Sequence, residues 1–304
     1  MIVHEVTIAS PDLHYDITLA QKNREQMAIQ GGIMLFQILE RGFFPRELPP
    51  VFQSTLLAEV VHANFEDLPE GFVQGKVSKL SVHSTPRIGL KRRLMAYPNP
   101  VSYVALCYEI EQNWQTLQNH FSQSCLSLST PTISLEEKDR AIRPRFLHKD
   151  LPKFRMKIRK KARFILQTDI AQFYPSIYSH SIPWALHTKA TAKKDSSLGL
   201  FGNRIDRLLR YGQDRQTIGI PIGPDTSLII AEIILSAVDK ALATYCPVKL
   251  NGFRFVDDYE FGVPTAAQAE EILSALQKAL QDYELGINFA KTKIRALPVP
   301  IDST

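Results

Sequence analysis

The fold of this chain is decided by one stretch, Phe253-Arg254-Phe255-Val256-Asp257-Asp258-Tyr259-Glu260-Phe261. Aromatic and β-branched residues stand on both sides of two adjacent acids, and Asn251-Gly252 gives a turn signal just before them, which predicts strands. Neighbouring side chains on a strand point to opposite faces, so the two carboxylates share one site only where the chain bends sharply. We therefore predict a tight hairpin with Asp257 and Asp258 at its tip.

The two acids at this tip repel each other. Two carboxylates about 4 Å apart, at an effective dielectric constant of about 20, repel by roughly 4 kcal/mol. A divalent cation offsets such repulsion, and hard oxygen ligands favour Mg²⁺ or Mn²⁺. The alternative is a solvated Asp-Asp turn that binds no metal, and this stretch by itself is compatible with both.

A third acid stands at the end of another predicted strand. Residues 164–169 form an apolar run that ends in Asp169, and an aromatic turn and a helix follow. An acid at the end of a buried strand needs a partner or a metal ion. With Asp257 and Asp258 it completes a set of three carboxylates, which is the set that holds two Mg²⁺ ions about 3.5–4 Å apart for in-line phosphoryl transfer.

A loop rich in glycine and proline, residues 217–227, lies between these acids and opens a long apolar helix at 228–245. Gly223 allows another group to approach the backbone closely, and the start of a helix favours anions. The alternative is an ordinary capped helix start, with an N-cap side chain from residues 225–227.

The predicted elements give an α+β fold. Their order is a strand ending in Asp169, helices, the glycine loop, a long helix, the hairpin, a helix that opens with a capping box at Thr265, and a short strand. We expect a small antiparallel sheet backed by two helices. Before it, residues 1–70 are mainly helical in pattern, 73–82 are predicted as strand, and 122–135 as a loop or linker.

Two segments are strongly basic. In the first, a Gly-bearing turn precedes three cations, which suit a polyanion because arginine offers phosphate a bidentate fork and lysine a point charge. In the second, residues 149–163, basic and apolar residues alternate, so we predict a strand whose basic face suits a nucleic-acid backbone. A solvated basic hairpin or edge strand is the alternative for each. The cations are Lys91, Arg92 and Arg93 in the first segment, and Lys153, Arg155, Lys157, Arg159, Lys161 and Arg163 in the second.

Composition narrows the class of protein. The net charge of +5 and the pI of about 9.0 make nucleic acid a natural partner. Three widely separated cysteines without a CxxC pair argue against a disulfide scaffold or zinc ribbon and fit a reducing compartment. We see neither a signal peptide nor an apolar run approaching about 18 residues, so we expect a cytoplasmic protein without a membrane partner.

The chain resembles the reverse transcriptases, and most of all their bacterial abortive-infection and defence-associated branch. The stretch Asp169-Ile170-Ala171-Gln172-Phe173-Tyr174-Pro175-Ser176-Ile177 matches motif A, residues 219–227 match motif B, 255–258 motif C and 285–293 motif D, and 93–100 resemble the fingers motif that ends in a proline. Phe255 replaces the tyrosine with which motif C usually begins. Ile222 replaces the usual glutamine of motif B, and this substitution resembles the defence-associated branch.

The resemblance implies a metal centre. Asp169, Asp257 and Asp258 would bind two Mg²⁺ ions, or Mn²⁺ instead, and the backbone carbonyl of Ile170 would add a ligand. Lys291, the lysine of motif D, would protonate or neutralise the leaving pyrophosphate.

The resemblance also implies a nucleotide site. Tyr174 takes the steric-gate position, where a bulky ring excludes the 2′-hydroxyl of ribonucleotides. Gly223 would let the backbone approach the incoming nucleotide or the template. The triphosphate would be clamped by Arg93 together with Lys91 or Arg92.

The implied palm comprises residues 165–178 and 216–299, with 179–215 as a helical fingers insertion, 1–164 as a helical and fingers region, and 300–304 as a tail. The thumb is absent or lies outside the chain, and a partner protein or a second copy would then replace it. The implied function is Mg²⁺-dependent RNA-directed DNA synthesis from deoxynucleoside triphosphates on an RNA or DNA template-primer, in bacterial antiviral defence. Untemplated or protein-primed synthesis stays open. The alternatives are a two-metal nuclease and a non-catalytic palm that only binds nucleic acid.

Overall fold

The computed structural model describes residues 33–64, 74–86, 92–136 and 138–300. Over these ranges, residues from Met34 onward belong to one compact unit, which contains the sheets. Over the described ranges, the helices are α1 (Ile33–Arg41), α2 (Thr55–Ala63), α3 (Pro100–Gln112), α4 (Trp114–Phe121), α5 (Leu151–Arg159), α6 (Phe173–Ser176), α7 (Ser181–His187), α8 (Lys189–Lys194), α9 (Phe201–Tyr211), α10 (Thr226–Tyr245) and α11 (Ala266–Gln281). The strands are β1 (Ser81–Pro86), β2 (Arg92–Tyr97), β3 (Pro131–Ile133), β4 (Ile142–Pro144), β5 (Phe164–Asp169), β6 (Gly252–Phe255), β7 (Asp258–Val263) and β8 (Lys293–Ala296).

Four strands that are distant in the sequence form the central sheet. Their order is β6-β7-β5-β8, and every neighbouring pair is antiparallel. The hairpins β1-β2 and β3-β4 each form a separate two-stranded sheet. The prediction of a mixed fold with a small antiparallel sheet is therefore confirmed.

One face of the central sheet is covered by α11, which packs on β5 and β7, and by α10, whose Asp239 accepts from Arg254 of β6 and Tyr259 of β7. The side chains of Leu166, Tyr259 and Phe261 lie on this face and are fully or almost fully buried. Helix α10 is apolar almost all round, so it packs as an internal helix rather than along a single stripe. Burying one isoleucine or phenylalanine contributes roughly 1.5–3 kcal/mol, and the side chains on this face belong to the larger apolar core of the chain. The two helices predicted behind the sheet are confirmed.

The opposite face carries the acids and is covered by α5. Side chains of paired residues on antiparallel strands lie on the same face, which here places Asp169 beside Asp258 and Gln167 beside Glu260. Leu151 of α5 packs in a second, smaller apolar cluster together with aromatic residues of β6.

The predicted basic strand at 149–163 is wrong, because residues 151–159 form the helix α5. The same segment also fits a helical spacing, because the apolar residues Leu151, Phe154 and Ile158 recur at intervals of three and four. Pro152 lies in the first turn, where its missing N–H costs nothing. The surrounding lysine, arginine and methionine residues are also good helix formers.

Two other predictions need correction. The strand predicted at 73–82 begins only at Ser81, and residues 74–80 form no strand. The predicted linker at 122–135 contains β3, and Ser127 pairs in parallel with Arg254 of β6. None of the described helices combines the length and apolarity needed to cross a membrane.

Candidate active site

The turn between β6 and β7 places two acids at one end of the sheet. Phe255 pairs with Asp258, so Val256 and Asp257 alone form the connection. Val256 has a φ of 53°, in the left-handed region that β-branched residues rarely adopt. Such a backbone costs on the order of 1–3 kcal/mol and persists only where the surroundings hold it. The predicted tight hairpin is present.

Asp169 meets this turn from β5. It pairs directly with Asp258, and the N–H of the next residue, Ile170, donates to the carbonyl of Asp257 at 3.2 Å. The structure thus brings the three acids predicted from the sequence to the same end of the sheet. That Ile170 offers its carbonyl to a metal stays a prediction.

The acids interact electrostatically. Burial raises the pKa of Asp257 to about 6, and the charges of Asp258 and Asp169 add to this effect. Burial also raises the pKa of Asp258, with the charge of Asp169 as the next cause and Lys291 acting against it. The repulsion expected from the sequence is therefore present between all three carboxylates.

The two oxygens of Asp169 differ in their surroundings. The ammonium group of Lys291 donates to Oδ2, and this bond raises the pKa of the lysine. The other oxygen, Oδ1, is buried and has no hydrogen-bond partner among the described residues. A buried carboxylate oxygen without a partner is costly, so Oδ1 marks a place where a cation would stabilise the site.

These residues fit a divalent cation, although they do not enclose one. Over the described ranges, no group of three or more histidine, cysteine or acidic side chains is arranged so that it could hold a metal ion by itself. Mg²⁺ does not require such a group, because it keeps several waters and binds through one or two carboxylates together with substrate phosphates. The hard oxygens of three neighbouring acids and the unsatisfied Oδ1 match that demand.

A cleft of about 620 Å³ opens between α5 and the face of the sheet that carries the acids. Asp169, Asp258 and Lys291 line it, together with Lys293 and His148. The ring of His148 lies 4.4 Å from that of Phe255, which belongs to the smaller core. A substrate entering this cleft would reach two of the three acids directly.

Tyr174 interacts electrostatically with the catalytic turn. Its pKa is raised by burial first and next by the negative charge of Asp257, while the positive charge of Arg93 acts in the opposite direction. The charges of both side chains therefore act on Tyr174. The carbonyl of Tyr174 accepts from the N–H of Ile220 at 3.0 Å, which fixes the aromatic turn against the glycine loop.

One arginine of the basic hairpin β1-β2, Arg93, interacts with Tyr174. Arg92 donates to Ser84 within the hairpin at 2.6 Å, whereas Arg93 is half-buried and acts on Tyr174. Adjacent strand residues point to opposite faces, which explains the difference. Lys91, predicted as part of the same clamp, lies outside the described residues.

Residues 109–301 match the family model of "Reverse transcriptase (RNA-dependent DNA polymerase)", which is more than half of the chain. The chain belongs to the reverse transcriptase family. The matched range contains the three acids, the glycine loop and Lys291, while the hairpin with Arg93 precedes it. Among curated protein sequences, none matches significantly.

Several solved telomerase structures are matched at low sequence identity. One is the telomerase of Candida albicans in complex with a TWJ fragment of telomeric RNA, with 14% identity over 82% of this chain and 47% of that chain, and a TM-score of 0.47. For apo telomerase of Candida tropicalis truncated from the C-terminal domain, the identity is 15% over 82% of this chain and 56% of that chain, with a TM-score of 0.45. For the apo telomerase of Candida tropicalis, the identity is 12% over 95% of this chain and 57% of that chain, with a TM-score of 0.46. The chain thus spans about half the length of these telomerase chains.

Glycine is required at position 223 for a reason that the sequence did not show. Its φ is 140°, and a Cβ there would lie 2.4 Å from the ring of Pro45. Its predicted contact with a nucleotide or template stays a prediction. The carbonyl of Gly223 accepts from Arg140 at 2.8 Å, and Arg140 also pairs with Asp225.

Asp225 stands at the N-cap position of α10 but does not cap the helix with its side chain. Its carboxylate instead accepts from Arg140 and from the N–H of Ile142. Arg140 therefore fixes the glycine loop, a role for which we found no sequence signal.

The six cations of the predicted basic face fall into two groups with different surroundings. Arg155 and Arg159 each bind the buried Glu260 at 3.0 Å, so both help to hold α5 on the sheet. One helical turn separates the two arginines, so they lie on the same face of α5 and reach the same acid. The remaining four are exposed, and their contact with nucleic acid stays a prediction; they are Lys153, Lys157, Lys161 and Arg163.

Proposed function

We propose that this chain is an RNA-directed DNA polymerase that adds deoxynucleotides to the 3′-hydroxyl of a primer. The observation that carries the proposal is the meeting of Asp169, Asp257 and Asp258 at one end of the sheet, in a chain of the reverse transcriptase family. A protein that only binds nucleic acid would not need three mutually repelling carboxylates, one of them with an unsatisfied buried oxygen.

The three acids would hold two divalent cations, preferably Mg²⁺. Bound there, such ions activate the primer hydroxyl and neutralise the charge of the triphosphate. The unsatisfied Oδ1 of Asp169 and the raised pKa of Asp257 support this assignment, because both conditions are relieved when a cation arrives.

The other residues of the site would orient and select the nucleotide. Arg93 would bind the triphosphate; its charge, like that of Asp257, acts on Tyr174. The half-buried ring of Tyr174 would exclude a 2′-hydroxyl. The bond to Asp169 keeps Lys291 protonated, so its ammonium group would neutralise the leaving pyrophosphate or give it a proton.

The experiment that tests this function is primer extension by the purified chain with Mg²⁺ and labelled deoxynucleotides. RNA-templated, DNA-templated and template-free reactions run in parallel would separate copying from untemplated addition. We expect extension on an RNA template, and a loss of at least 100-fold in Asp257→Asn. Extension that is unchanged in Asp257→Asn would refute the role of the acids.

We further propose a role in bacterial antiviral defence, supported by the resemblance of Ile222 and its loop to the defence-associated branch. A protein partner or a second copy of the chain would then provide the grip on the template-primer. Phage plating on cells that carry the wild-type chain or Asp257→Asn tests the defence role. Equal plating on both strains would count against it.

A further inference from the structure

The backbone of Val256 is held on both sides by buried side chains. Its N–H donates to the hydroxyl of Ser129 at 2.9 Å, and its carbonyl accepts from Arg254 at 3.1 Å. Ser129 and Arg254 are completely buried. A β-branched residue at a φ of 53° stays there only where its surroundings compensate, and these two bonds are the compensation.

Arg254 is itself fixed by two acids of α10. Its guanidinium donates to Glu232 at 2.8 and 3.0 Å and to Asp239 at 2.9 Å. Burial alone would raise the pKa of Glu232, but Arg254, together with serine hydroxyls that donate to Glu232, leaves that pKa below its ordinary value. The two acids therefore hold the guanidinium of Arg254 in one position beneath the turn.

Ser129 belongs to a segment that joins the edge of the central sheet. Leu126 and Leu128 exchange backbone hydrogen bonds with Arg254, each at 2.8 Å. This pairing brings the hydroxyl of Ser129 to the turn, where it accepts from Val256 and donates to Glu232 at 3.3 Å. Ser129 thus links the strained residue to the buried acid.

We propose that Ser129 and Arg254 are positioning residues for the catalytic acids. They hold Val256 in its left-handed conformation, and this conformation sets where Asp257 and Asp258 point. The inference rests on the proposed function, because its consequence is the binding of divalent cations. Without the Ser129 hydroxyl, the turn relaxes towards ordinary backbone angles and the two carboxylates move away from Asp169.

The test is Mn²⁺ binding, without nucleotide, followed through the electron paramagnetic resonance signal of free Mn²⁺. We expect Ser129→Ala to bind Mn²⁺ about tenfold more weakly than the wild type. Ser236→Ala is the matched control, because Ser236 is equally buried and donates to the same Glu232, at 3.2 Å, without contacting the turn. We expect its Mn²⁺ affinity to stay within twofold of the wild type.

A second pair of variants tests the conformational reason. Glycine adopts a positive φ at no steric cost, so Val256→Gly makes the Ser129 bond less necessary. Ser129→Ala should therefore weaken Mn²⁺ binding by only about twofold in the Val256→Gly background. Equal weakening in both backgrounds would show that Ser129 acts by some other route. Thermal unfolding of each variant reports folding, and Ser129→Cys, similar in size but a weaker acceptor, replaces Ser129→Ala if the latter does not fold.

The outcomes separate the two proposals. If the wild type shows no Mn²⁺ binding that depends on Asp257, the metal centre and the proposed function fail together. If the wild type binds Mn²⁺ and Ser129→Ala binds it equally well, or if Ser236→Ala is weakened to the same extent, only the positioning role fails.

Discussion

Replacing the hairpin acid Asp257 with asparagine should stabilise the metal-free protein while removing its activity. The pKa of Asp257 in the folded chain is about 6, against an ordinary value of 3.8. This difference of about two pH units corresponds to about 3 kcal/mol, at 1.36 kcal/mol per unit. Because the charged form is disfavoured in the folded state, the wild type carries this penalty and the asparagine variant does not.

The sign of the effect sets its pH dependence. Below the ordinary value of 3.8, Asp257 is protonated in the folded and unfolded chains, so the penalty vanishes. Between about pH 4 and 6 the unfolded chain has lost this proton and the folded chain still holds it, so wild-type stability falls. The advantage of Asp257→Asn should therefore be absent near pH 4, grow up to about pH 6, and then stay constant at up to about 3 kcal/mol.

Urea unfolding in the presence of EDTA, at several pH values between 4 and 8, measures this difference. Adding Mn²⁺ should then reverse the order of stability, because it binds the folded wild type and not the variant. A variant that is less stable than the wild type at pH 8 without metal, or an advantage independent of pH, would refute the reasoning.

Three further substitutions have defined outcomes. Tyr174→Ala should relax discrimination against ribonucleotides by at least tenfold in the ratio of kcat/KM values, and unaltered sugar selectivity would contradict the gate. Gly223→Ala should destabilise the fold by on the order of 1–3 kcal/mol in urea unfolding, because its Cβ would lie 2.4 Å from Pro45 and its φ is 140°; a neutral result would mean that the loop shifts freely. Glu260→Gln should cost about 3–5 kcal/mol, since the two arginines of α5 lose their buried partner. Lys153→Ala, on the exposed side of the same helix, should stay within about 0.5 kcal/mol and serves as its control.

The sequence predicted the parts of the site that depend on local pattern. The hairpin that carries Asp257 and Asp258 follows from alternating apolar residues and a turn signal, both contained in one short stretch. The strand ending in Asp169 is an apolar run of the same kind. That these elements meet in one sheet follows from their order along the chain and from the resemblance.

Local pattern failed where two periodicities coincide or where partners are distant in the sequence. Residues 151–159 satisfy both an alternating and a helical pattern, and only the packing of Leu151 and Ile158 on the sheet decides for the helix. Ser129 stands in a polar stretch that looks like a linker, and its partner Val256 is 127 residues away. Nothing in the local composition indicates such a contact.

The buried arginine beneath the hairpin is better explained by what it positions than by the stability it contributes. A buried ion pair often adds little net stability, because removing its charges from water costs about as much as their attraction returns. Arg254 nevertheless faces two buried carboxylates and also donates to the carbonyl of Val256. An apolar side chain of the same size would leave Glu232 and Asp239 without this cation and the turn without one of its two supports. The arrangement gains a fixed conformation at Val256, and that conformation determines where two mutually repelling acids point before any cation arrives.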